Sequence, residues 1–146
     1  MEAGGWNFIW KAKVQPKTRL FAWRCCRNAL PACSRLRTRG IRIEDECLNC
    51  DQVEDGLEHI LRRCSFARLV WALSHLPWKV IARDDLSTED WLRYIHSRMD
   101  AEGFERFLVI SWLLWNNRNS RLFEGRVLDA KSLVDQAFRS LRLQGL

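Results

Sequence analysis

The sequence predicts a mostly α fold: a small helical domain interrupted by an irregular insert over residues 44–56. Three observations predict it. Apolar residues recur at i, i+3, i+4, i+7 in successive stretches on both sides of the insert. Inside the insert that periodicity vanishes and polar turn formers take over. Eight Trp and seven Phe against one Tyr supply much apolar area per residue, which suits a small helical core. With 146 residues, 47% hydrophobic and 29% charged, the chain has about one domain's length and the balance of a folded protein.

Residues 6–16 mix aromatics with lysines and end at Pro16, which starts or stops an element. KTRLFAWRCCRNAL (17–30) reads as a helix, with Ala22, Cys25, Cys26 and Ala29 on its apolar side and Lys17, Arg24 and Arg27 keeping another side cationic. Pro31 suits the first turn of a second, short helix that Gly40 would end. Leu57, Ile60, Leu61 and Cys64 restart a helical stripe, which Phe66, Ala67, Val70 and Trp71 extend. LPWKVIARDD (76–85) reads as a connection. Ser87, with Asp90 three residues on, has the form of a capping box opening a helix through Trp91, Leu92, Ile95 and Met99. Residues 104–123 are apolar on nearly every side, the pattern of a helix in the middle of a core, and Gly125 ends it. Leu133, Val134, Ala137, Phe138 and Leu141 place a last helix over 129–143. A division follows between residues 1–75, which carry the insert, and 76–146, a helical extension packing on them.

The formal net charge of +6 conceals a polarity. Residues 1–43 hold ten Lys and Arg against Glu2 alone, a net +9. Residues 44–64 hold seven acids against Arg62 and Arg63, a net −5, and the remainder carries +2. A concentrated basic block is the electrostatic footprint of a polyanion partner. Lys11, Lys13, Lys17, Arg19, Arg24, Arg27, Arg35, Arg37 and Arg39 are the candidate phosphate contacts. The plainer alternative is a solvated face. Trp6, Trp10 and Trp23 are either stacking platforms for unpaired bases or core anchors.

Within the acidic stretch, CLNCDQVEDGLEHILRRC (47–64) sets the pattern C-x2-C-x8-H-x4-C. Zinc takes four soft or borderline donors in a tetrahedron, and structural sites draw them from Cys and His. Cys47-x2-Cys50 is the spacing at which a tight turn aims two sulfurs at one centre, with His59 and Cys64 as the remaining donors. On a regular helix, residues five apart diverge by roughly 140°, so His59 and Cys64 share a metal only where the helix loosens near Arg62–Arg63 or ends before Cys64. The competing reading makes Cys64 part of the apolar stripe and His59 an exposed helix histidine. Four donors within one short segment point to a structural Zn2+ site. Cys25, Cys26 and Cys33 have no histidine nearby and read as core packing. His75 and His96 lack partners at ligand spacing.

These residues resemble the zinc-binding domain found beside the reverse transcriptase of plant non-LTR (LINE-type) retrotransposons. The resemblance rests on Trp6, Trp10, Pro16, Lys17, Phe21, Trp23-Arg24, Leu30-Pro31, Leu36, Arg39-Gly40-Ile41, Cys47, Cys50, Glu54, His59, Cys64, Ala67 and Trp71. It departs from the family at Ser65, where proline commonly follows the last ligand, and at Ala32-Cys33, where threonine is usual. Farther on, ISWLLWNNRNSRLFEG (110–125) resembles the W-x-x-W-x-x-R-N-x-x-x-F stretch that precedes a ribonuclease H domain in such elements. The resemblance implies a non-catalytic zinc module that binds nucleic acid, RNA ahead of DNA, within a retroelement polyprotein whose polymerase or nuclease domains are further partners. It equally accommodates a structural or protein-interaction module, or a retroelement remnant.

Catalysis is not expected. A polymerase needs paired carboxylates for two metal ions, and the one Asp-Asp, Asp84–Asp85, sits in the connection read above. Asp90, Asp100, Glu102 and Glu105 read as a solvent face. No Gly-rich phosphate cradle, nucleophile elbow or H-E-x-x-H is present. The opening residues MEAGGWNFIWKAKV lack the apolar run of a signal peptide. The longest apolar run, FLVISWLLW, falls far short of the roughly 20 residues that cross a bilayer. The expected setting is therefore intracellular, nuclear or cytoplasmic, without a membrane partner and with reduced thiols.

Overall fold

The computed structural model describes residues 7–27, 57–83, 85–123 and 128–144, and among them the chain is helical without a strand. The short helix after Pro31 and the insert over 44–56 lie outside the described residues.

A short helix α1, Asn7–Trp10, precedes α2, Pro16–Cys26. Pro16 occupies the first turn of α2, where its missing N–H costs nothing. The Arg27 N–H closes the last turn on the Trp23 carbonyl at 3.1 Å. After the undescribed stretch comes a single π turn, His59–Arg63, and then α3, Ser65–Leu73. The stripe from Leu57 to Trp71 is therefore two elements with a joint at Cys64. Within the expected connection, Trp78–Ile81 forms one helical turn, α4. Helix α5, Thr88–Arg98, opens on Ser87, whose Oγ accepts the Asp90 N–H at 3.1 Å, satisfying one orphan donor of the first turn.

The long helix α6, Ala101–Phe123, is the spine. It begins three residues earlier than its apolar run because Asp100 caps it: Oδ1 accepts the Gly103 N–H at 2.8 Å. A Cβ on Gly103 would stand 3.0 Å from that same oxygen, so the glycine leaves room for the cap. Asp100, read from the sequence as a solvent-face acid, is thus a helix start. Helix α7, Ala130–Gln144, is capped likewise by Asp129, which accepts the Ser132 N–H at 2.7 Å. That bond also holds the Asp129 carboxyl below its ordinary pKa. Asn117 of α6 fixes the chain entering α7. Its Oδ1 accepts the Leu128 N–H at 2.7 Å and its Nδ2 donates to the Leu128 carbonyl at 3.2 Å.

Helix α6 packs along α7 and against α2 and the π turn, and α3 also lies on α7. Phe107 is the keystone. Its ring stacks on Trp71 at 5.2 Å and meets the edge of Trp91 at 5.0 Å. All three rings are at most 1% exposed. Full burial of such a side chain contributes on the order of 1.5–3 kcal/mol. Each indole also closes a backbone account. Trp71 Nε1 donates to the Leu61 carbonyl at 2.7 Å, and Trp91 Nε1 donates to the Ile81 carbonyl at 3.1 Å. Residues before and after position 75, from Ile9 and Phe21 to Ile110 and Leu133, join one buried cluster. Among the described residues no helix is long and apolar enough to cross a membrane.

Candidate metal centre and cationic face

The loosening that a shared metal would demand between His59 and Cys64 is present in the backbone. The Cys64 N–H donates to the His59 carbonyl at 2.8 Å, an i→i+5 bond in place of i→i+4. An α-helix would turn position 64 well away from position 59; the wider π turn brings it back to stand above it. The helix then stops. Cys64 takes extended backbone angles, φ −59° and ψ 136°, and its carbonyl accepts the Arg68 N–H at 2.9 Å to start α3. Single π turns are rare and often mark functional sites.

Nothing in residues 59–63, HILRR, breaks a helix intrinsically, so the anchors are tertiary. The break at Cys64 leaves the Leu61 carbonyl without its helical donor, and the Trp71 indole supplies one. Arg62, buried despite its charge, lays its guanidinium 4.8 Å over the Trp91 ring and donates to the Arg83 carbonyl at 3.1 Å. Glu58 accepts the Thr88 hydroxyl at 3.2 Å. The π turn is thereby held on three sides, by α3, by the end of α4 and by the start of α5.

His59 is 5% exposed and Cys64 0%, so neither is a solvent-facing residue on a polar helix surface. One imidazole and one thiol on a kinked, buried turn are donors of the kind zinc takes. Cys47 and Cys50 lie outside the described residues, and among those described no three Cys, His, Asp or Glu side chains gather. The structure thus describes two of the four candidate donors, His59 and Cys64, both buried at the π turn. Cys25 and Cys26 are a different case. Burial, reinforced by its neighbour, pushes the Cys25 thiol well above its ordinary value. Burial and then Glu89 raise Cys26 to about 12, against the opposing pull of Arg93. Both pack in the apolar cluster on the buried side of α2, the core role their spacing suggested. Cys33 is outside the described residues. His75 is exposed at the end of α3, and His96 is exposed with its ring 5.0 Å from Phe8 and 4.9 Å from Phe104.

Among the N-terminal cations, Lys11, Lys13, Lys17, Arg24 and Arg27 are exposed. Arg19 is half-buried and donates to the Ala12 carbonyl at 3.1 Å, so it braces the α1–α2 corner rather than reaching outward. Lys17 Nζ sits 4.4 Å over the Trp112 ring and the Arg27 guanidinium 4.9 Å over Trp23. The backbone N–H of Lys13 donates to Glu105 at 3.1 Å, which brings one acid to that end of the face. Arg35, Arg37 and Arg39, and with them Trp6, lie outside the described residues. Two exposed apolar residues on this face, Leu20 at 39% and Trp10 at 44%, were not separated from the core by the sequence. Phasing α2 on its buried residues would have found Leu20; for Trp10 the sequence left a stacking platform and a core anchor as alternatives.

Asp85 is paired on the surface with Arg83, at 2.8 and 3.0 Å, and that pairing holds its carboxyl below the ordinary range.

No curated protein and no solved structure matches the chain. Residues 2–71, which take in α1, α2, the π turn and most of α3, match the family described as zinc-binding in reverse transcriptase, an accessory domain rather than a catalytic part.

Proposed function

We propose that this chain is a non-catalytic zinc module derived from a retroelement, of the plant LINE type, that binds nucleic acid and RNA in particular. Cys47, Cys50, His59 and Cys64 hold one Zn2+ as a structural ion, tying the acidic insert to the π turn. Lys11, Lys13, Lys17, Arg24 and Arg27 meet phosphates, joined by Arg35, Arg37 and Arg39 of the following segment. Arg19 acts behind them by fixing the corner from which Lys11 and Lys13 project. In a parent polyprotein the neighbours are polymerase or nuclease domains, and the setting is nuclear or cytoplasmic.

The observation that carries the binding reading is the exposed cationic side of α2, on a stretch with no Asp or Glu between Ala3 and Ile43. The zinc reading is supported by the family match and by the π turn under His59 and Cys64. The test is a titration of the zinc-loaded chain with single-stranded RNA at two salt concentrations. Neutralising five to eight phosphates predicts a loss of roughly 130- to 2,000-fold in affinity for a fourfold rise in salt. Reversing Lys17, Arg24 and Arg27 together to Glu should abolish binding. Absence of binding at low salt contradicts the reading.

A second reading, a protein-interaction module, draws on Leu69 and Leu73, 53% and 39% exposed and one turn apart on α3. It predicts loss of a partner on Leu69→Glu with RNA affinity unchanged.

A further inference from the structure

The exposed side of α2 is not purely cationic. Lys17, Leu20, Arg24 and Arg27 follow at spacings of three, four and three, which places them in one arc of the helix. Phe21, Ala22, Cys25 and Cys26 fill the opposite arc and are buried. Beside the exposed arc, the end of α1 presents Trp10, 44% exposed, with its ring 6.4 Å from that of half-buried Trp23. The Arg27 guanidinium lies over Trp23 at 4.9 Å. The core takes Trp71 and Trp91 completely, yet Trp10 and Leu20 stay in water among lysines and arginines. Leaving an indole face wet forgoes the gain of burying it.

We infer that Trp10, Trp23 and Leu20 form a stacking platform that makes this face selective for single strands. The inference rests on the nucleic-acid reading of the cationic side of α2. A strand would run along α2 with Lys17, Arg24 and Arg27 at its phosphates. Trp10 stacks on an unpaired base, Trp23 fixes the Trp10 ring from behind, and Leu20 floors the track. Cations alone do not discriminate, because phosphates are common to single strands and duplexes. An indole face does, because only unpaired bases offer their own faces for stacking. A protein partner for this strip would need several acids of its own to answer the cations; a nucleic acid supplies base faces and phosphates together.

The experiment uses the full chain loaded with zinc and two fluorescent probes of one sequence, a single-stranded RNA of about 12 nucleotides and its duplex. The expected result is tighter binding of the single strand. Trp10→Ala should weaken that binding at least about fivefold while leaving duplex affinity and the salt slope unchanged, and Trp10→Phe should retain most of it. A second readout does not depend on affinity. In protein labelled with 5-fluorotryptophan, the fluorine signal lost in Trp10→Phe should shift on adding the single strand and stay put with the duplex. If Trp10→Ala binds the single strand as the parent does, while the Lys17/Arg24/Arg27 reversal binds nothing, the platform is wrong and the cationic face survives. If neither probe binds the parent chain at low salt, both readings fall.

Discussion

Two pairs of tryptophans in this chain each include one ring with an arginine over it, and the pairs do opposite things. Trp91 has the Arg62 guanidinium 4.8 Å over its ring, and Trp23 has Arg27 at 4.9 Å. Trp91 and Trp71 are buried, each gives its indole N–H to a carbonyl at a helix end, and both press on Phe107. Trp23 is half-buried and its companion Trp10 is open to water. A cation over a ring contributes about 0.5–1 kcal/mol when exposed and about 2 when desolvated, so the same geometry differs in strength by its surroundings. Where the N–H is spoken for and the faces are covered, the ring is structural. Where a face is left open among cations, the ring remains available to a ligand.

The sharpest way to break this contrast is Phe107→Ala, which empties the space between Trp71 and Trp91. The expected loss is about 3–5 kcal/mol, measured by denaturant unfolding. Next is Trp71→Phe, which keeps a ring and removes the donor to the Leu61 carbonyl. It should lose about 1–3 kcal/mol and weaken zinc retention, because that carbonyl belongs to the π turn. Trp10→Ala should change stability by no more than about 0.5 kcal/mol, as an exposed substitution does, while affecting RNA binding. A loss comparable to that of Phe107→Ala would place Trp10 in the core account and end the contrast. The smallest effect concerns pH. Partial desolvation beside Phe8 and Phe104 lowers the pKa of the otherwise exposed His96 in the folded chain from 6.5. Its contribution is therefore full above 6.5 and declines as pH falls through that value toward the lowered one. As pH falls through that window the parent should lose stability relative to His96→Gln; a gain relative to the variant contradicts the assignment.

The helices were legible where burial follows a period. The apolar run of 104–123 told its own position, and Ser87 with Asp90 marked the start of α5. The requirement that His59 and Cys64 face one way foretold a break, but not that it would be a π turn. That form depends on Trp71, the Arg83 carbonyl and Thr88, which reach it from later elements, and no local pattern encodes it. The same holds for the Asn117 clamp on Leu128, since an asparagine on a helix gives no sign of the backbone it will meet. His75 shows the converse. It ends α3 with φ 63°, the left-handed position usually given to glycine, so the usual end signal was missing from the sequence. On the cationic side, net charge pointed to α2, yet only packing separated Arg19, turned inward to Ala12, from Lys17, Arg24 and Arg27.

The most direct measurement is zinc per folded chain, by elemental analysis after exhaustive dialysis, for the parent and for Cys47→Ser and Cys64→Ser. One equivalent in the parent is the predicted result, with marked loss in both variants and several kcal/mol of folding stability lost alongside. Less than about half an equivalent in a folded parent chain, or full retention in either variant, would contradict a metal centre built on the turn that joins His59 to Cys64.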